Sequence, residues 1–212
     1  MDLILVRHGE TDWNRASIFR GRMDIPLNST GLAQARLTAR ALQHQNISTI
    51  YSSPLARSLK TAEIIAQPHS INVTIDDDLI DIDYGALQGI SEKEAVMQYP
   101  LLMETWSNHP EKVKFPCGES LHDVLKRIQN FFDRICVFSR TENRAVLVVS
   151  HRIPIKIMTL ILLGMDLSHL NEVRHDNCAI SIFKIRENSI EQSILNYTKH
   201  LDMLSIDRLK DF

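Results

Sequence analysis

Two histidines lie far apart in the chain, each directly after a short apolar run. His8 follows Leu3-Ile4-Leu5-Val6-Arg7, and His151 follows Val146-Leu147-Val148-Val149-Ser150. Apolar runs of this length, rich in Val, Ile and Leu, read as buried strands of an α/β sheet. Ligands of such sheets bind at the carboxyl ends of the strands. Both imidazoles are therefore expected on one functional edge, the first with the Arg7 guanidinium beside it. A neutral imidazole can attack phosphorus, a second can donate a hydrogen bond or hold a proton, and a guanidinium matches phosphate oxygens. Phosphate chemistry is what these residue types suit. Taken singly, each histidine reads better as an unrelated strand-end residue.

The elements that must carry these residues follow from the pattern. Strands are expected at about Leu3–Val6, Ile47–Tyr51, Val73–Ile75, Ala145–Val149, Ala179–Lys184 and Ser193–Tyr197. Between them lie helices at about Leu32–Gln43, from Ser52-Ser53-Pro54 through Ala66, from Glu119-Ser120 to Phe138, and Ile153–Leu163. Residues 9–29 read as a long polar loop, a kind often functional in compact domains. Residues 76–118 read as an insertion over the sheet, with a helix from Ser91 to about Tyr99. Strands alternating with helices imply a doubly wound α/β sandwich, expected as one domain over residues 1–212.

Composition narrows the function classes. The chain has 212 residues, a formal charge of −2 and 44% hydrophobic content. Such a balance gives no basic field for nucleic acid and no basic run for a membrane surface. No stretch approaches a membrane span, and no cleavable leader is read at the amino terminus. Cys117, Cys136 and Cys178 are odd in number and scattered, which implies neither a disulfide framework nor a zinc site. A reducing cytoplasmic setting is the expectation, with no metal. Oligomeric state is not legible in the sequence.

Arg7-His8-Gly9-Glu10-Thr11 followed by Trp13-Asn14 resembles the signature of the histidine phosphatase superfamily, the phosphoglycerate-mutase-like enzymes. The resemblance continues through Phe19-Arg20-Gly21, Asp24-Ile25-Pro26-Leu27, Thr30-Gly31, Gln34-Ala35, Ser52-Ser53-Pro54-Leu55-Ala56-Arg57-Ser58 and Thr61-Ala62. Tyr84 to Gly89, Gly118-Glu119-Ser120 and Val149-Ser150-His151 extend it, in the family's order, to about residue 185. It implies a three-layer doubly wound α/β sandwich with a mostly parallel sheet and a small helical cap. It also implies a cofactor-independent reaction through a phosphohistidine on His8. Arg7 and Arg57 are then the phosphate clamps, Asn14 an amide donor, Arg20 and Gly21 part of the loop passing the substrate, and His151 the second imidazole.

Two positions depart from the family pattern. The proton donor is usually a glutamate four residues before the glycine of a Tyr/Phe-Gly pair; here that position is Asp81, one methylene shorter. Strand-like alternation would put Asp83 on the same side, as a competitor. Arg152 stands where glycine usually follows the second histidine; it is a candidate for the pocket, with its direction open.

Within the resemblance, hydrolysis is favoured over mutase chemistry. Mutases carry arginine where this chain has Ile82, and an arginine pair where it reads Ser107-Asn108-His109-Pro110. Without those cations water should intercept the intermediate. The expected activity is hydrolysis of a small phosphorylated metabolite, with phosphoglycerate mutase and a non-catalytic phosphate-binding module as alternatives. The cap, residues 90–118, is expected to set specificity; it offers Met97, Tyr99, Met103, Trp106 and Phe115, most of which also read as core of the cap. Sugar phosphates, phosphoserine, phosphoglycerate and nucleotide-precursor phosphates all remain open.

Overall fold

The structure is a computed structural model that describes residues 1–138, 144–186 and 189–204, the side chains of residues 136–138 excepted. Cys136 and the tail beyond residue 204 therefore lie outside the described side chains. Among the described residues six strands form one sheet: β1 (Asp2–Arg7), β2 (Ile47–Ser52), β3 (Val73–Ile75), β4 (Ala145–Ser150), β5 (Ile180–Arg186) and β6 (Ser189–Tyr197). Their order is β3-β2-β4-β1-β5-β6. The β3-β2-β4-β1 block is parallel, and β5 and β6 close one side antiparallel. The helices are α1 (Asp12–Arg15), α2 (Ser29–Leu42), α3 (Ala56–Ala66), α4 (Glu92–Gln98), α5 (Pro100–Asn108), α6 (Leu121–Phe138) and α7 (Arg152–Leu163).

The central strands are greasy on both faces because both faces are covered. Leu3 and Leu5 of β1 and Val146 and Val148 of β4 pack with α6, α7 and the cap. Ile4, Val6, Leu147 and Val149 point the other way, to a core shared with α2 and α3. Period-2 alternation thus divides one apolar run between two cores. The cap is continuous with the first core through Tyr84, Trp106 and Phe115.

Three local expectations are corrected. Ser52 ends β2, and the following helix starts only at Ala56, with no side-chain cap from its N-cap Leu55. Its Ala56 N–H is instead satisfied by Asp24 Oδ1 at 2.7 Å, from the long loop. A cap is needed there, but tertiary contact supplies it. Residues 81–84 carry no strand ladder, so alternation does not govern Asp81 and Asp83. The cap holds a second helix, α5, opened by Pro100 at its first turn. The loop over residues 9–29 also folds locally: Thr11 and Asn14 form a reciprocal cap around α1.

Candidate active site

The register of β1 on β4 brings the two histidines together. Arg7 pairs with Ser150, and His8 N–H donates to the Ser150 carbonyl at 2.9 Å. One residue on, the His8 and His151 rings stand 5.1 Å apart, both buried. Ser53, at the end of neighbouring β2, reaches His151 Nε2 with its Oγ at 2.7 Å. Three parallel strand ends thus build the floor of the site.

His8 Nδ1 lies 2.7 Å from the Gly9 carbonyl. A carbonyl only accepts, so Nδ1 carries the proton and the lone pair rests on Nε2. Gly9 is itself held by its N–H on Thr61 Oγ1, and the His8 carbonyl accepts from Asn177 Nδ2. Burial first, then the charges of Arg57, Arg7 and Arg20, hold the His8 pKa well below its ordinary value. His151 is held down likewise, by burial and then Arg57. Both rings are neutral at physiological pH.

Arginines surround them. Arg57, fully buried in the first turn of α3, donates to the carbonyls of Met23 (2.8 Å) and Gly21 (2.8 Å) and lies 3.3 Å from Asp81 Oδ2. Gly21 has φ +51°, and a Cβ there would strike Gln88, so the loop needs glycine. Arg7 Nη1 donates to the His175 carbonyl at 2.6 Å. Arg20 has Nε and Nη1 buried without a hydrogen-bond partner among the described residues. Burial, then neighbouring Arg7, pulls its pKa to about 9, so it stays a cation at neutral pH. Asn14 is buried, its Oδ1 taken by Thr11, which leaves its amide N–H groups for a ligand.

Asp81 is buried beside this cluster, with Oδ2 3.8 Å from His151 Nδ1. Asp83 turns elsewhere: its Oδ1 accepts from Gly85 N–H, and its Oδ2 lies 3.9 Å from Arg22. Arg152, undecided from sequence, is buried and hydrogen-bonds the Tyr84 side chain, and its charge is felt at Arg20. It therefore lies between the arginine cluster and the cap. The geometry brings together Arg7, His8, Arg20, Arg57, Asp81 and His151, with Arg152 on the cap side. The contacts of Ser53, Thr61, Asn177 and the His175 carbonyl are not legible in the sequence: Ser53 and Thr61 lie in motif strings, but no local pattern names partners that are distant in the chain. Among the described residues, no three His, Cys, Asp or Glu side chains converge as a metal site requires. No helix among them is long and apolar enough to cross a membrane.

Of the cap residues, Met103, Trp106 and Phe115 belong to the core, the reading the sequence left open for most of them. Trp106 and Phe115 pack edge-on with Tyr84, and Met97 is exposed.

Comparison with known proteins gives consistent findings. The family model of the histidine phosphatase superfamily (branch 1) matches residues 3–198. Phosphoserine phosphatase 1 of Hydrogenobacter thermophilus is 37% identical over 98% of each chain. A probable phosphoglycerate mutase of Yersinia pestis is 30% identical over 99% of each. A mutant phosphoserine phosphatase of Entamoeba histolytica, solved with phosphoserine, superposes with a TM-score of 0.83. It is 29% identical, covering 94% of this chain and 98% of its own.

Proposed function

This chain belongs to the histidine phosphatase superfamily, and from that premise we propose that it is a metal-independent phosphomonoesterase working through a phosphohistidine on His8. One observation carries the reading: His8 has its Nδ1 proton committed to the Gly9 carbonyl, so a neutral Nε2 lone pair sits within a cluster of arginines. The buried, partnerless donors of Arg20 and the unpartnered Nε of Arg57 and Nδ1 of His151 suit a dianionic phosphoryl group.

His8 Nε2 attacks phosphorus, and the bond to the leaving oxygen breaks as Asp81 delivers its proton to that oxygen. Water then attacks the phosphohistidine, Asp81 takes a proton from it, and the N–P bond breaks to free phosphate and His8. Arg7, Arg20, Arg57, Asn14 and His151 hold the equatorial oxygens throughout. Asp81, not Asp83, is the donor because only Asp81 stands beside His151 and Arg57. Hydrolysis is favoured over mutase chemistry because Ile82 is committed to the hydrophobic core, leaving no cation there for a phosphoglycerate.

The substrate is a small phosphorylated metabolite. Arg152, bridging the cluster and Tyr84, supports one with a second negative group. The phosphoserine named for the relatives is the first such compound to test. The setting proposed is cytoplasmic.

The test is phosphate release from phosphoserine, a sugar phosphate and p-nitrophenyl phosphate, with chelator present. His8→Ala should abolish release and the acid-labile phosphoenzyme. Activity surviving in that variant, or primed interconversion of 2- and 3-phosphoglycerate outpacing hydrolysis, would overturn the assignment.

A further inference from the structure

Asp81 is held from behind by a partly buried ion pair that the reaction itself does not use. Arg127 of α6 donates from Nη1 to the Asp78 carbonyl at 2.6 Å and from Nη2 to the Asp81 carbonyl at 3.1 Å. Its Nη2 also lies 3.4 Å from Glu119 Oε2. That same oxygen accepts from Asp83 N–H at 3.0 Å, and Glu119 N–H donates to the Asp83 carbonyl at 2.8 Å. Glu119 Oε1 meanwhile binds Arg22 Nη2 at 2.7 Å, next to the Gly21 turn whose carbonyl Arg57 holds. Both members of the pair are largely buried, with side chains 12% and 17% exposed. Leu79 and Ile82, fully buried, anchor the segment between these fastenings, and Ser150 Oγ–H binds the Leu79 carbonyl at 2.6 Å.

We propose that Glu119 and Arg127 are positioning residues for the proton donor, clamping the backbone on both sides of Asp81 so that its short carboxylate meets the leaving oxygen. The inference rests on the assignment of Asp81 as the acid. The physical need is specific to this chain. An aspartate lacks the extra methylene and torsion with which a glutamate adapts its reach, so its carboxylate goes where the backbone sends it. Misplacement of about 1 Å is enough to cost on the order of 100-fold in a positioned step. Residues 81–84 have no strand ladder to supply that precision, so side chains must. A partly buried guanidinium spanning two carbonyls with a planar fork is suited to it. Arg127 also contributes to the positive field at His151, so the clamp lies close to the site.

The experiment compares leaving groups. p-Nitrophenolate departs without a proton, whereas the alkoxide of phosphoserine needs one. Arg127→Met and Glu119→Gln are assayed on both compounds beside Asp81→Asn, with Arg127→Lys as the milder variant should methionine impair folding. The expected result for Arg127→Met is a fall in kcat of about 10- to 100-fold on phosphoserine, with under about 3-fold on p-nitrophenyl phosphate and little change in either KM. Arg127→Lys should recover part of the loss. Equal losses on both compounds, while Asp81→Asn discriminates between them, would reduce the pair to ordinary structural support. If Asp81→Asn itself failed to discriminate, the donor assignment would fall, and the clamp with it.

Discussion

At the scale of single residues, the two neutral histidines set a cost in acid. Each is fully buried, and each has its pKa depressed by burial and by arginine charge. In the unfolded chain they regain the ordinary value of 6.5. Below that pH the unfolded state binds protons that the folded state refuses, so stability falls as pH falls. The slope is about 1.4 kcal/mol per pH unit for each histidine until the folded pKa is reached. Chemical denaturation at pH 7.0 and 5.5 should show the loss, and His8→Gln should remove about one histidine's share. An unchanged pH dependence in that variant would contradict a neutral, depressed His8. Arg20 acts on the same quantity. Arg20→Met removes one of the charges that keep His8 neutral, so the acid limb of the kcat/KM profile should move upward, together with a higher KM.

At the scale of elements, the site depends on how closely backbone can approach backbone. Gly9 would place a Cβ 2.5 Å from the Gly31 carbonyl, and a Cβ on Gly31 would collide with the Glu10 backbone. Helix propensity alone predicts that Gly31→Ala, in the first turn of α2, stabilises by about 1 kcal/mol. The collision is with main chain, which cannot rotate away, and it should win. The expected outcome is a net loss of about 1–3 kcal/mol in urea denaturation and slower turnover, since Glu10 and Gly9 carry His8. Both β1 and β4 and the helices behind them, α7 through its last residue Leu163 included, were legible as apolar periodicity. The start of α3 was not. Its Ser52-Ser53-Pro54 has the look of a local cap, yet Ser52 completes β2, Ser53 serves His151, and Asp24 satisfies the helix. Local preference yielded to a partner that sequence distance conceals.

At the scale of the whole molecule, the cap and the sheet share one core, and Tyr84 is the joint. It packs against Phe19 at 5.0 Å, Phe115 at 4.9 Å and Trp106 at 6.3 Å between ring centroids, while its polar end meets Arg152. Trp106→Ala should cost about 3–5 kcal/mol in equilibrium unfolding. Because Tyr84 ties that cluster to Arg152, KM for a metabolite with a second negative group, such as phosphoserine, should rise more than KM for p-nitrophenyl phosphate, which has none. A parallel rise in both would place the effect on folding alone.

The sequence by itself determined the α/β class, the two central strands, the paired histidines at their ends and the arginines bound to recognisable motifs. Those properties are encoded locally, in apolar runs and short strings whose members are neighbours in the chain. Only the tertiary structure decided which carboxylate stands at the histidines, which side chain Arg152 meets, and that Ser53, Asn177 and Arg127 hydrogen-bond His151 and the His8 and Asp81 carbonyls. Asp81 and Asp83 are chemically alike and two residues apart. What separates them is a backbone path fastened by residues from distant segments, and the strength of those hydrogen bonds depends on distances that no local pattern carries.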